Sequence, residues 1–333
     1  PLFLEQMLKN GSDVNYADRN GNTLLMYASG YEPQKYGFLP GKGNYSSADY
    51  AKLFLRYDAD VSQQNKEGWT ALDYAVQLDD DMAAMNLLLS YGAEVTPAVL
   101  AHALKFVGAH TDYLRIHKLV ALLDSSQTST ILTPIFDAAI RGDNATVQEL
   151  ATKTDLSEAE RLQTLCHAVA FCNADTVRLL LADGFGTIQT IDAADNTLLQ
   201  IAAMQNNTDV MNFLLKQGSW DTESRDAALR TAIRNGCTEA CQLLLDDGTP
   251  VITGTGSIWG VFDNIMDGAS ENGNVEITQM LIQHGYPVNE TTAWYAMKNA
   301  ARTGQTAIIQ YWVSLGYDPD YRADDTNGDS SVL

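Results

Sequence analysis

Read along its length, the chain repeats one arrangement of apolar and polar positions. An alanine-rich apolar segment gives way to a polar turn, then to a second apolar segment that ends in large aliphatic residues and a glycine. The second segment is plainest at 85–92 (MNLLLSYG), 177–184 (VRLLLADG), 210–218 (VMNFLLKQG), 240–248 (ACQLLLDDG) and 277–285 (ITQMLIQHG), and 2–11 and 308–316 follow the same rule. Apolar residues at i, i+3 and i+4 predict helices of about eight to ten residues with one buried stripe each. The glycine stands where the chain would leave the helix through a left-handed residue. A helix this short is marginal alone, so the pattern predicts a neighbour for each one, which the sequence supplies every thirty-odd residues.

The first segments read TLLMYA at 23–28, TALDYA at 70–75, TPIFDAA at 133–139 and, most regularly, TLLQIAA at 197–203, with degenerate versions at 165–168, 229–232, 265–268 and 297–300. Threonine can cap a helix by accepting an exposed backbone N–H, and proline suits a first turn, where no donor is missed. Small alanines let the two helices of a unit pack closely. Polar turns at 141–144, 206–208, 235–236, 272–274 and 303–305 join them.

These residues resemble the ankyrin repeat, whose pattern is roughly D-x-x-G-x-T-P-L-H-x-A-A…G…V…L-L-x-x-G-A-x-V-N. The chain shows NGNTLL at 20–25, KEGWTAL at 66–72 and GAEV at 92–95; GSDVN at 11–15 and GYPVN at 285–289 match the start of the family's hairpin. About nine full or degenerate repeats run in phase between partial terminal ones, although Thr-Pro survives only at Thr133-Pro134 and the unit at 97–125 lacks the glycine signals. The resemblance implies an all-α solenoid of stacked helix-turn-helix units with short hairpin loops, a single domain over 1–333 whose concave side is lined by first helices and hairpin tips. The 324–333 segment reads as a further repeat cut before its helix, so the chain is expected to be a fragment of a longer protein. Glycine, proline and serine between 30 and 47 predict a loop inserted within an early repeat, too long for a plain connection.

Composition narrows the chemistry. With 42 Asp and Glu against 21 Lys and Arg, the net charge of −21 argues against a nucleic-acid partner, which needs basic residues to displace counterions. No run approaches the roughly 18 apolar residues of a membrane span. Cys166, Cys172, Cys237 and Cys241 show no metal-ligand spacing. The two pairs fall two repeats apart, on the order of 20 Å and beyond disulfide reach, so free thiols and a cytoplasmic setting are expected. The 325–329 stretch (DTNGD) lacks the glycine position and bidentate glutamate of a calcium loop, and Gly254-Thr-Gly256 lacks the lysine of a phosphate loop. His167 occupies the first-helix position where the family often carries a histidine bonded to loop backbone. Asp79, Asp80 and Asp81 read as a solvated turn. Neither catalytic residues, metal nor cofactor is expected.

What remains points to a protein-binding scaffold, monomeric and non-catalytic, as the resemblance implies. The expected contact residues are the hairpin tips Arg19, Lys66 and Trp69, with Trp69 beside the turn glycine and able to face the groove, together with Tyr31, Lys35, Tyr36, Phe38, Lys42 and Tyr45 of the insertion. Tyrosine supplies large contact area at low entropic cost. Two alternatives stay open: the recognition region of a larger enzyme or toxin-type effector, and an acidic inhibitor that mimics a polyanion and takes a basic partner.

Overall fold

A computed structural model describes residues 2–30, 46–77, 82–106, 113–153, 155–218, 220–251 and 265–321. The insertion residues Tyr31, Lys35, Tyr36, Phe38, Lys42 and Tyr45, the acidic run 79–81, Gly254 to Gly256 and the 325–329 stretch lie outside the described residues. The chain divides into two compact units, 1–141 and 142–333. Among the described residues every regular element is helical apart from the isolated bridges Ala17↔Thr23 and Ile191↔Thr197.

The first unit holds α1 (Leu2–Lys9), α2 (Leu24–Ala28), α3 (Ser47–Leu55), α4 (Ala71–Ala75), α5 (Ala83–Ser90), α6 (Pro97–Phe106), α7 (Tyr113–Ala121), α8 (Ser125–Thr128) and α9 (Pro134–Arg141). Within repeats α2 packs on α3, α4 on α5 and α6 on α7; between repeats α2 meets α4, α4 meets α6 and α3 meets α5. The second unit holds α10 (Asn144–Ala151), α11 (Glu158–Phe171), α12 (Ala174–Ala182), α13 (Leu198–Met204), α14 (Thr208–Gln217), α15 (Thr222–Arg234), α16 (Thr238–Asp246), α17 (Ile265–Glu271), α18 (Val275–Gln283), α19 (Glu290–Thr303) and α20 (Thr306–Ser314). Here the stacking is regular: α11, α13, α15, α17 and α19 form one row, and α10, α12, α14, α16, α18 and α20 form the other.

The closing glycines explain how each helix joins its neighbour. The residue four before the glycine is fully buried in six repeats: Leu88, Leu180, Leu214, Leu244, Leu281 and Trp312. Five of these also accept, through their carbonyls, the amide of the residue just past the glycine. The bonds run from Ala93, Phe185, Thr249, Tyr286 and Tyr317 at 2.9–3.3 Å. This is the bond that forms when the chain turns through a left-handed residue, and Gly92, Gly184, Gly248, Gly285 and Gly316 all have φ between 76° and 94°. Gly218 departs from the expectation. Its φ is −127°, and the chain instead folds Trp220 back so that its indole N–H donates to the Leu214 carbonyl at 2.9 Å. A Cβ at Gly218 would lie 3.3 Å from that indole nitrogen and 2.9 Å from Ile188, so the position needs smallness, not a left-handed backbone.

Polar turns are stitched to the repeat before them. Asn207 donates to the carbonyls of Val169 (3.0 Å) and Cys172 (2.8 Å) while its Oδ1 accepts the Val210 amide. Asn272 donates to Ile233 and Arg234 carbonyls at 2.6 and 2.9 Å. Asn144 accepts from the Asn173 amide, and Asn206 from that of Ala240, each at 2.9 Å. Buried carbonyls that would otherwise be unpaired thus find donors one repeat away.

Hairpin-like turns form at three places in the described residues. Asp18, Asn65 and Asp192 each pair their amide with the carbonyl four residues on, at Asn22, Trp69 and Asn196 (2.9–3.0 Å). Their side-chain oxygens accept amides two and four residues ahead: Asn20 and Asn22, Glu67 and Trp69, Ala194 and Asn196. These are Asx turns, which fix the tip without using its exposed side chains. At three other places in the second unit helix stands where a tip is expected. α11, α15 and α19 run 14, 13 and 14 residues, capped by Ser157, Asp221 and Asn289. The 285–289 stretch, read as a hairpin start, therefore leads straight into α19. The reason is local: Ser157 bonds Glu160 in a reciprocal cap, and Asn289 caps through the Thr292 amide, so helix begins where a hairpin would stand.

Two outcomes follow. Asn207→Ala removes four bonds to largely buried backbone and should cost about 1–3 kcal/mol, read as a lowered urea midpoint, whereas Asn212→Ala, which loses one exposed bond to the Thr208 carbonyl, should change it little. Burial opposes charge on Asp18, but the Tyr27 hydroxyl and the Asn22 and Asn20 amides outweigh it and hold the carboxyl below its ordinary value. Its stabilising effect is therefore complete above about pH 4, the unfolded aspartate value, and is lost as pH falls through the lower folded one. Asp18→Asn, which keeps the turn chemistry seen at Asn65, should lose less thermal stability than the parent between pH 6 and 3. An equal loss would count against this assignment.

Candidate interaction site

The two turns of the first unit lie side by side. The Lys66 amide donates to the Asn20 carbonyl at 2.9 Å, directly joining one tip to the next. Beneath them, Asn65 donates to Asn22 Oδ1 (2.8 Å) and to the Tyr74 hydroxyl (2.9 Å), a buried amide cluster that fixes both turns. Gly21 sits at the closest approach: its φ is +83°, and a Cβ there would meet the Asn65 Cα at 3.1 Å.

On this base Arg19 and Lys66 are exposed, and neither side chain has a hydrogen bond or ion pair among the described residues. Trp69 is half-buried. Its ring stacks on His102 with centroids 4.3 Å apart at 36°, and lies 5.1 Å from Tyr74. His102 Nδ1 is 2.8 Å from Asp73 Oδ1, while Asp73 Oδ2 accepts the Thr70 amide and hydroxyl, each at 2.8 Å. With the carboxylate as acceptor, the histidine proton is assigned to Nδ1. The expected groove-facing tryptophan is thus anchored on its inner side by the following repeat and offers only its outer part. The structure brings Arg19 and Lys66 together and sets Trp69 at the base of the second tip.

Tyr16 joins this group and is absent from the sequence expectation. It is 71% exposed, three residues before Arg19. Its signal was a large aromatic on the leading arm of a turn whose counterparts, Gln63 and Thr190, are polar. Trp294 and Trp312 are core residues, as their helical positions imply. His167 bonds the Gln163 carbonyl one turn back in its own helix at 3.0 Å.

None of the four cysteines forms a disulfide. Burial pushes the Cys172 and Cys241 thiols up to about 12 and that of Cys237 to about 11, so thiolate is scarce at neutral pH. Among the described residues no group of three or more His, Cys, Asp or Glu side chains is placed to hold a metal ion. No described helix is long and apolar enough to cross a membrane.

The family model of ankyrin repeats (three copies) matches residues 2–98 and 165–253, more than half of the chain. The B-cell lymphoma 3 protein homolog of Mus musculus is 27% identical over 208 residues, which is 56% of this chain and 44% of that protein. The chain thus spans less than half the length of that relative. Among solved structures, the ankyrin repeat domain of Bcl-3, described as a unique member of the IkappaB protein family, is 24% identical with a TM-score of 0.42, covering 57% of this chain and 89% of that one. The human ASB11 ankyrin repeat domain is 18% identical with a TM-score of 0.29, covering 86% and 94%. The paired helices, the glycine-closed turns and the extent of the family match lead to one assignment: this chain belongs to the ankyrin-repeat family.

Proposed function

We propose that the protein is a non-catalytic module that binds a partner protein, and that the paired turn tips of the first unit form part of the contact. The observation that carries this reading is the contrast between the turns and their ends. Asp18, Asn22, Asn65 and Tyr74 are consumed in holding the backbone, while Arg19 and Lys66 project from the tips without an internal partner. A rigid platform with free charged ends and half-exposed aromatic surface loses little entropy on binding, and Trp, Tyr and Arg are the residues that dominate binding energies. The insertion at 30–47, with Tyr31, Lys35, Tyr36, Phe38, Lys42 and Tyr45, leaves α2 of the same repeat and extends the same contact. Four cysteines outside any disulfide support a reducing, cytoplasmic setting.

A photo-crosslinking residue placed at Arg19 or at Lys66 should capture the same partner protein. The same residue at Lys153, paired with Glu149 on the second unit, should not. Arg19→Glu combined with Lys66→Glu should weaken that partner's binding about tenfold with the circular dichroism unchanged. Capture with equal yield from Lys153, or binding indifferent to the double reversal, would remove the tips from the contact.

A further inference from the structure

Two repeats of the second unit carry an arginine at the same point, four residues after a helix cap, and give it different surroundings. In α15, capped by Asp221, the Arg225 Nε donates to the Trp220 carbonyl at 3.3 Å. Its Nη1 donates to the Asp247 carbonyl at 3.1 Å and is ion-paired with the Asp247 carboxylate, at the end of α16. In α11, capped by Ser157, the Arg161 Nε donates to the Leu156 carbonyl at 3.2 Å in the same way. The counterpart of Asp247 is Asp183, which also precedes a closing glycine, yet Arg161 makes no ion pair with it. The guanidinium carbon instead stands 5.5 Å from the centre of the Phe185 ring. Phe185 occupies the position of Thr249 in the other repeat, so an aromatic face takes the arginine where the other repeat offers a carboxylate.

The terminal nitrogens of Arg161 have no hydrogen-bond partner among the described residues, and Arg161 lines a cavity of about 540 Å³ that is open to solvent. Pockets that hold small ligands span roughly 300–1,000 Å³. Leu156, Leu162, Phe185 and Ile191 form its apolar walls, with Arg161 and Glu158 as its charged groups. Ile191 is 46% exposed. The wall opposite α11 is held in place, since even a Cβ at Gly186 would come within 2.7 Å of Thr190 Oγ1 and 2.8 Å of Leu165. Glu158 is exposed and screened, whereas Arg161 is half-buried, oriented at Nε and bounded by a ring; a carboxylate bond to it is the stronger of the two possible ionic contacts.

We infer that this cavity docks a segment of a protein partner in which one large apolar side chain stands next to a carboxylate. The side chain lies against Phe185, Leu162 and Ile191, and the carboxylate takes on Arg161 the place that Asp247 takes on Arg225. The inference does not rest on the turn tips, because every residue involved lies in the other unit.

Short capped peptides test it on the intact, isotope-labelled chain: Ac-Gly-Phe-Glu-Gly-NH2, with Phe-Gln, Phe-Lys and Ala-Glu versions as comparisons. The Phe-Glu peptide should shift the amide resonances of Phe185, Gly186 and Ile191 saturably. The Phe-Gln and Ala-Glu peptides should bind at least about tenfold more weakly, the worth of one charge-assisted bond or one buried ring. Arg161→Met should abolish the Glu-over-Gln preference while leaving weak apolar binding. Arg225→Met should lower thermal stability and keep the preference. No shifts at these amides, equal binding of Glu and Gln peptides, a preference that survives Arg161→Met, or tighter binding of Phe-Lys through Glu158 would each overturn the inference.

Discussion

A two-turn helix with one apolar stripe has nothing of its own to bury that stripe against. Within each unit the described helices answer that deficit by leaning on a neighbouring repeat. The residues four before the closing glycines show how completely. In Leu88, Leu180, Leu244, Leu281 and Trp312 the side chain fills the gap between neighbours, and the carbonyl of the same residue holds the turn that leads onward. Packing and chain direction are thus fixed at one residue. In such a stack each repeat answers chiefly to those beside it.

Polar residues divide by the same logic. Where a neighbour offers a buried carbonyl or an amide, the side chain is spent inside the fold, as with Asn207, Asn272 and Asn65. Where the neighbour offers nothing, the side chain stays available. Arg225 and Arg161 make the comparison within one molecule, since both occupy the same register and make the same bond to the preceding carbonyl, while Phe185 stands past the next glycine in one repeat and Thr249 in the other. Binding capacity here is a remainder, left over by a scaffold that satisfies its own polar groups first.

Much of this was legible from the residues. The apolar spacing located the helices, threonine at 23 and 197 marked true caps, and the family resemblance stated from the repeats was correct. Arg19, Lys66 and Trp69 could be placed on turns because Asp18 and Asn65 precede them at fixed spacing. Three things could not be read. Gly218 looks like the other closing glycines, and only the back-folded Trp220 shows that crowding governs it. The long helices α11, α15 and α19 stand where hairpins are expected, because their caps Ser157, Asp221 and Asn289 lie well upstream of the apolar segments that carry the repeat. The separate fates of Arg161 and Arg225 depend on a ring that is distant in register from either arginine.

The three hairpin-like turns carry a last consequence. Gly21 is pressed against the turn that follows it, while Gly68 has open space around the missing Cβ, and the corresponding place in the second unit is filled by Asp195 with φ 61°. The repeats after Gly68 and Asp195 start with helix at Pro97 and Thr222 and bring no turn alongside. Only a turn with a successor is sterically bound to glycine; the last turn of a run is held to it by backbone preference alone, which aspartate can meet. The freedom to vary a tip is therefore set by what the following repeat builds, and sequence change should accumulate first at the outermost turn of each run.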